Sequence, residues 1–450
     1  MHPNGFHYAF LSNPFDLYYK RYYPRPLLSA LPPYSTKSPM GSSGENIETP
    51  LLLPLHLPDN KIPKDSFNLI YITYFILGVS CLLPWNTFIT AIDYFSHIYP
   101  HTHINRIFSV VYMPVVVSAL LSVVFFGRRC DVRIRINLGL GLYVFSLLLM
   151  PLLEVFYIRG RVGLFNGFYV SIGAVVLCAV GQALVQSGVV GSAGELPKRY
   201  MQAAVSGFAG SGVLVSMLRL VTKALYPRDS EGLRRSAILY FSAVITFVVV
   251  SFVWYNSTTK HLIVKHYQNL KNQEKQKKGS LFGSITKSTF WEIYKTIRIY
   301  AFGVMCLFVI TMSIFPGYVT EDVSSKILKD WYPITLITAY YVLDLIGKSL
   351  ASFYVMKSSK ITMGLCIGRV VFYPLFVGCL HGPKFLRTEI PVIILTCFLG
   401  LTNGYLTAVA MISAPKLVSF EHAEVAGILM AMSLVLGVAI GSVLAWFWVI

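Results

Sequence analysis

Eleven long apolar stretches recur along the chain, at about 68–95, 105–127, 134–157, 166–193, 201–225, 236–256, 299–320, 332–356, 361–380, 390–413 and 424–448. A helix rising 1.5 Å per residue crosses the roughly 30 Å hydrocarbon core of a bilayer in about 20 residues, which each stretch can supply. Inside that core no water satisfies backbone N–H and C=O groups, so the crossing segments must bond internally, as helices do. The pattern therefore predicts an all-α polytopic membrane protein with eleven transmembrane helices. Composition agrees, with 55% hydrophobic and only 13% charged residues, whereas soluble globular proteins carry about 25% charged.

The formal net charge of +18 would suit a nucleic-acid partner if it were gathered on one soluble face. Instead the cations sit at the ends of apolar segments: Arg128, Arg129, Arg133 and Arg135, then Lys198 and Arg199, Lys357 and Lys360, and Lys416. A connection over 257–298 carries Lys260, Lys265, Lys271, Lys275, Lys277, Lys278, Lys287 and Lys295, while the first connection, SHIYPHTHIN, has no Lys or Arg. The positive-inside rule then predicts a cytoplasmic N-terminus, with the charge serving topology rather than nucleic acid; the lysines of 257–298 could bind anionic lipid or regulators, a solvated linker being the plainer role. Lys223, Arg228, Arg234 and Arg235 partly offset this bias.

The same basic connection divides the chain. Counting spans on either side predicts a six-helix bundle over 67–256, a basic cytoplasmic linker over 257–298 and a five-helix bundle over 299–450. Residues 1–66, rich in Pro, Ser and Tyr and without an apolar core of signal-peptide length, read as a flexible cytoplasmic tail. Glu48, Leu52 and Leu53 within it match an acidic dileucine pattern that sorting adaptors could read; chance in a leucine-rich stretch is the plainer alternative. The seven cysteines form no CxxC pair and suit small packing positions rather than disulfides or a metal site.

Ionisable and amide side chains inside apolar segments are expensive unless they face protein or a water-filled cavity, which makes them candidate functional groups. Asp344 and Lys348 lie four residues apart and so share a helical face where they can neutralise each other. Gln182 and Gln186 form a second pair at the same spacing, offering amides that can donate and accept at once. Arg369 is expected near enough to the cytoplasmic boundary to snorkel, with a kink following at Pro374, and it is a candidate for gating or interface. Arg219 and Glu154 are expected to anchor span ends. Asn403 and Tyr405, beside Gly404, could bond across helices or touch substrate.

The segments PWNTFITAIDYF, GQALVQSG…AGELPKRYMQAAVSGFAGSG, DLIGKSL and TNGYLTAVAMISAPK…AEVAGILMA resemble, in order, the signature elements of the equilibrative nucleoside transporter family, with the style of a plant member. The resemblance implies eleven spans in a fold related to the major facilitator architecture, and nucleoside transport by alternating access. It places Leu82, Trp85 and Ile89 on the wall of the nucleoside site, Gln186 at the nucleobase, Asp344 near the ribose hydroxyls, and Gly207 and Gly212 at helix packing. The family position of Lys348 is commonly arginine, and that of Gln182 often glycine. Lysine cannot make the planar bidentate contact of a guanidinium.

On this reading Leu82, Trp85 and Ile89, spaced by three and four, form one stripe towards the cavity, Pro84 bends the helix, and Asn86 bonds a neighbouring helix. The expected function is transport of purine and pyrimidine nucleosides such as adenosine and uridine, across the plasma or vacuolar membrane. No P-loop is present, so flux must follow a gradient; no cofactor is called for beyond a coupling proton, for which Asp344 is the candidate. No cationic pocket for phosphate is evident, so nucleosides are expected over nucleotides. The rivals are a sugar or amino-acid carrier, a receptor without flux, and a multispan enzyme; the last needs convergent catalytic groups, but the ten histidines lie almost entirely in the tail and loops.

Overall fold

The computed structural model describes residues 65–100, 104–126, 130–159, 161–226, 229–258, 287–315, 328, 331–383 and 388–445. Glu48, Leu52, Leu53, Arg128, Arg129 and most of the basic connection lie outside the described residues. Among the described residues every regular element is helical: α1 Leu69–Thr90, α2 Ile92–Ile98, α3 Ile104–Phe126, α4 Val132–Leu153, α5 Phe165–Glu195, α6 Lys198–Leu225, α7 Ser230–Thr258, α8 Lys287–Ile314, α9 Tyr332–Leu350, α10 Ser359–Gly368, α11 Phe372–His381, α12 Glu389–Ser413 and α13 Phe420–Leu444.

Ten spans among the described residues are long and apolar enough to cross a membrane; α1 with α2, and α10 with α11, each make one. Helix α9 is the eleventh expected segment, and at 19 residues it reaches about 28 Å. It is not among the ten because Asp344, Lys348 and three tyrosines within its 19 residues reduce its apolar character. It also ends at Leu350, short of the expected 356, in a turn over 351–353. In the opposite sense, α7 runs to Thr258 and α8 starts at Lys287, so helix extends into both flanks of the basic connection.

Proline acts on these helices in two ways. Helix α1 passes through Pro84 without interruption and breaks instead at Ala91. The Tyr143 hydroxyl donates to the Cys81 carbonyl at 2.7 Å, next to the Ser80 carbonyl that Pro84 leaves without an amide partner. In the other case a 3-10 turn over Arg369–Val371 separates α10 from α11, immediately before Pro374, whose ring would clash with the Val370 carbonyl of a straight helix.

Helix α6 is central to the packing. It lies along α1 and also contacts α9 and α12, while α13 packs on α8, α5 and α3. The α1–α6 contact depends on Gly207: a Cβ there would collide with the Phe75 carbonyl and sit 2.8 Å from the Cα of Gly78. One turn and a half further on, a Cβ on Gly212 would enter the ring of Tyr341 of α9. Small residues thus let helices approach at the distances that van der Waals packing needs in lipid. Asn86 Nδ2 donates to Ser211 Oγ at 3.0 Å, the helix–helix bond expected of it.

Candidate functional site

Trp85 is buried in the helical interior, and Leu82 and Ile89 on the same stripe are half-buried. The indole does not stand free: it stacks on Tyr112 of α3 with centroids 3.8 Å apart and planes at 17°. One of the two faces available to a nucleobase is therefore filled by the protein. The Tyr112 hydroxyl donates to Gln182 Oε1, and Gln182 Nε2 donates to Gln186 Oε1 at 3.1 Å. Gln186 is fully buried, and its Nε2 has no hydrogen-bond partner among the described residues. Leaving such a donor unmet costs about 1–3 kcal/mol. A chain of stack, phenol and two amides thus runs from Trp85 to the Gln186 amide nitrogen, which is unmet among the described residues.

Around Asp344 the groups are charged. Asp344 and Lys348 form the ion pair their spacing requires, each side chain 5% exposed. Asn403 of α12 donates from Nδ2 to Asp344 Oδ1 at 2.8 Å, and its Oδ1 faces Thr311 Oγ1 at 2.9 Å and Arg369 Nη1 at 3.4 Å. Arg369 also donates to Thr311 Oγ1 and to the Leu399 carbonyl, both at 2.8 Å. Four helical segments thereby share one buried network. It holds two cations and one carboxylate.

Arg369 corrects the sequence expectation. It does not snorkel; it is 3% exposed. The reason is its depth: the segment spans Ser359–His381, which puts Arg369 at its midpoint, beyond reach of either boundary. Tyr405 lies outside the cluster, its hydroxyl donating to the Tyr354 carbonyl at 3.3 Å beyond the end of α9. The two clusters are each continuous, but no hydrogen bond among the described residues joins Gln186 to Asp344; helix α6 contacts both α5, which carries Gln186, and α9, which carries Asp344.

Sequence reasoning missed several buried partners. Arg135, expected among loop cations, forms an ion pair with Glu424 of α13, the side chains 2% and 6% exposed. Glu154, expected to anchor a span end, is buried and accepts from Tyr94, with Arg234 Nε 2.6 Å away. Arg219, by contrast, is only half-buried: it pairs with the exposed Asp93 and donates to the Tyr240 hydroxyl at 3.2 Å. Charge parity was the available signal: an acid such as Glu424 within an apolar run requires a buried cation. Thr311 and Tyr112 carried no signal of that kind. Among the described residues no group of three His, Cys, Asp or Glu side chains could hold a metal, and the seven cysteines are free.

Comparison with known proteins gives this geometry its context. A sequence model of the family described as "Nucleoside transporter" matches residues 172–450. The chain is 54% identical over 410 residues to equilibrative nucleotide transporter 1 of Arabidopsis thaliana, covering 90% of this chain and 91% of that protein. It is 40% identical over 387 residues to equilibrative nucleotide transporter 8 of the same plant, covering 86% and 97%. Equilibrative nucleoside transporter 4 of Danio rerio is 26% identical over 464 residues, covering 90% and 88%. Among solved structures, the major facilitator superfamily transporter FucP in its outward conformation aligns with a TM-score of 0.57 at 11% identity, over 85% of this chain and 95% of that one. The proton:xylose symporter XylE bound to 6-bromo-6-deoxy-D-glucose aligns with a TM-score of 0.60 at 10% identity, over 86% and 89%. At such identities the likeness is one of fold, the major facilitator fold.

Proposed function

The chain belongs to the nucleoside transporter family, and on that premise we propose that it carries purine and pyrimidine nucleosides, such as adenosine and uridine, by alternating access. One observation supports the reading most directly: Trp85, Gln186 and Asp344, drawn from three separate family motifs, are all buried in the helical interior, at 7%, 0% and 3% exposure. In this reading the base extends the Tyr112–Trp85 stack and meets the Gln186 amide, while the ribose hydroxyls exchange hydrogen bonds with Asp344 and Lys348. Stacking of a base on an aromatic ring is worth about 1–3 kcal/mol in nucleic-acid sites.

The two proposed bundles, 67–256 and 299–450, would rock about this region. Their motion would slide α6 past α9 and α12, and α13 past α5 and α3, the contacts that join them. Asp344 is the proposed carrier of a coupling proton, taken up when Lys348 withdraws. Nucleosides are proposed over nucleotides because the buried cations are already engaged, Lys348 by Asp344 and Arg369 by Thr311, Asn403 and Leu399. We place the protein in the plasma or vacuolar membrane with a cytoplasmic N-terminus.

The test is uptake of radiolabelled adenosine and uridine into proteoliposomes with and without an imposed pH gradient. Uptake above that of empty vesicles, accelerated by an acidic outer face and unaffected by excess AMP, is expected. Uptake no greater than that of empty vesicles rejects transport. Indifference to the gradient removes proton coupling alone, and competition by AMP removes the exclusion of nucleotides.

A further inference from the structure

We propose that Tyr112 and Gln182 form a relay that fixes the Gln186 amide as a hydrogen-bond donor, so that the site selects bases by an acceptor, a purine ring nitrogen or a pyrimidine carbonyl, and not by an exocyclic amino group. The inference rests on the nucleoside reading above. By itself Gln186 is ambiguous, because a carboxamide presents an acceptor or a donor according to how it is rotated. Its neighbours remove the choice. A phenol donates more readily than it accepts, since its oxygen lone pair is delocalised into the ring, and the Tyr112 hydroxyl donates to Gln182 Oε1. That leaves Gln182 Nε2 facing Gln186 one helical turn away, where it donates to Gln186 Oε1 at 3.1 Å. The Gln186 oxygen is thereby occupied, and its nitrogen remains buried without a partner among the described residues.

Two consequences follow from this polarity. A donor serves both classes of nucleoside, because purines carry ring nitrogen acceptors and pyrimidines a carbonyl at C2. A fixed acceptor would instead have to take the exocyclic amino group of adenosine or the N3–H of uridine, so the two polarities call on different atoms of each base. The second consequence concerns Tyr112, whose ring is held on Trp85 with centroids 3.8 Å apart. The residue that extends the stack also sets the direction of the amides, which makes Tyr112 a positioning residue for base recognition.

The test measures inhibition of radiolabelled uridine uptake by full-length protein in proteoliposomes. The unlabelled competitors are adenosine, its 1-deaza, 3-deaza and 7-deaza analogues, and purine riboside, which lacks only the exocyclic amino group. One deaza analogue is expected to inhibit about tenfold more weakly than adenosine, a loss of about 1.4 kcal/mol, while purine riboside matches adenosine. Gln186→Leu should abolish that penalty. Tyr112→Phe, which keeps the ring and removes the hydroxyl, should reduce it to about twofold and make purine riboside weaker than adenosine. A Tyr112 of structural importance only would lower uptake without reordering the competitors, and that result overturns the relay. It is also overturned if purine riboside is the weak inhibitor of the unaltered protein, or if all five compounds inhibit alike. Absence of both uridine and adenosine uptake instead rejects the transport reading, and this inference with it.

Discussion

Around Trp85 the buried polar groups are neutral, a phenol and two amides strung end to end; around Asp344 one carboxylate sits between Lys348 and, through Asn403, Arg369. The difference teaches how each region should respond to change. A neutral chain that loses one link leaves its former partner buried and unmet, at about 1–3 kcal/mol. A buried ionic cluster that loses one member leaves an uncompensated charge, at about 3–5 kcal/mol. The first region is thus suited to adjusting specificity by small steps, and the second to holding or releasing the fold and the substrate in large ones.

The largest expected effect breaks the charged region. Asp344→Leu leaves Lys348 and Arg369 without a carboxylate and should destabilise the protein by about 3–5 kcal/mol, seen as loss of folded protein on solubilisation and thermal unfolding. Asp344→Leu with Lys348→Met should recover abundance but not uptake. If the single variant is as stable as the parent, the contrast between the regions is wrong. Arg369→Lys keeps the charge but cannot reach Thr311 and Leu399 together, so a loss of about 2 kcal/mol is expected by the same unfolding measurement. A smaller loss would mean that charge alone matters there.

Gly212→Ala probes the seam between the regions, since the added Cβ enters the Tyr341 ring. Overpacking of about 1–3 kcal/mol is expected, with uptake falling further than abundance if α6 slides past α9 during transport. Equal falls would confine Gly212 to packing. Tyr112→Phe should be mildest, costing about 1 kcal/mol of stability, the low end for a buried acceptor left unmet because the Gln182 amide can rotate, while reordering the competitors as described above. A loss as large as that of Asp344→Leu would show the neutral region to be equally brittle.

Much of the candidate site is legible in the sequence. The Asp344–Lys348 and Gln182–Gln186 pairs follow from i, i+4 spacing, which the helix itself enforces. The stripe of Leu82, Trp85 and Ile89 follows from the same period. Other elements are not legible there. The sequence leads one to expect a Trp85 face open to the base, yet Tyr112 of another helix covers it. It also leads one to expect Arg369 to snorkel to the cytoplasmic boundary; the expected span, 361–380, agrees with the observed Ser359–His381 to within two residues, and what the sequence does not show is that Thr311, Asn403 and Leu399 of other helices meet the guanidinium at that depth. Gln182 looks expendable beside the family pattern but joins Tyr112 to Gln186.

By itself the sequence determined the helical, membrane-spanning class, because apolar length and the absence of water in lipid leave the backbone no other way to bond across so many crossings. It also determined every contact made within one helix, because those arise from a local period. Only the tertiary structure decided which distant polar groups meet: Asn403 with Asp344 across 59 positions, and Arg135 with Glu424 across 289. Spacing along the chain carries no information at such separations, since the partner of a side chain is then set by which helices pack together and how deeply each is placed.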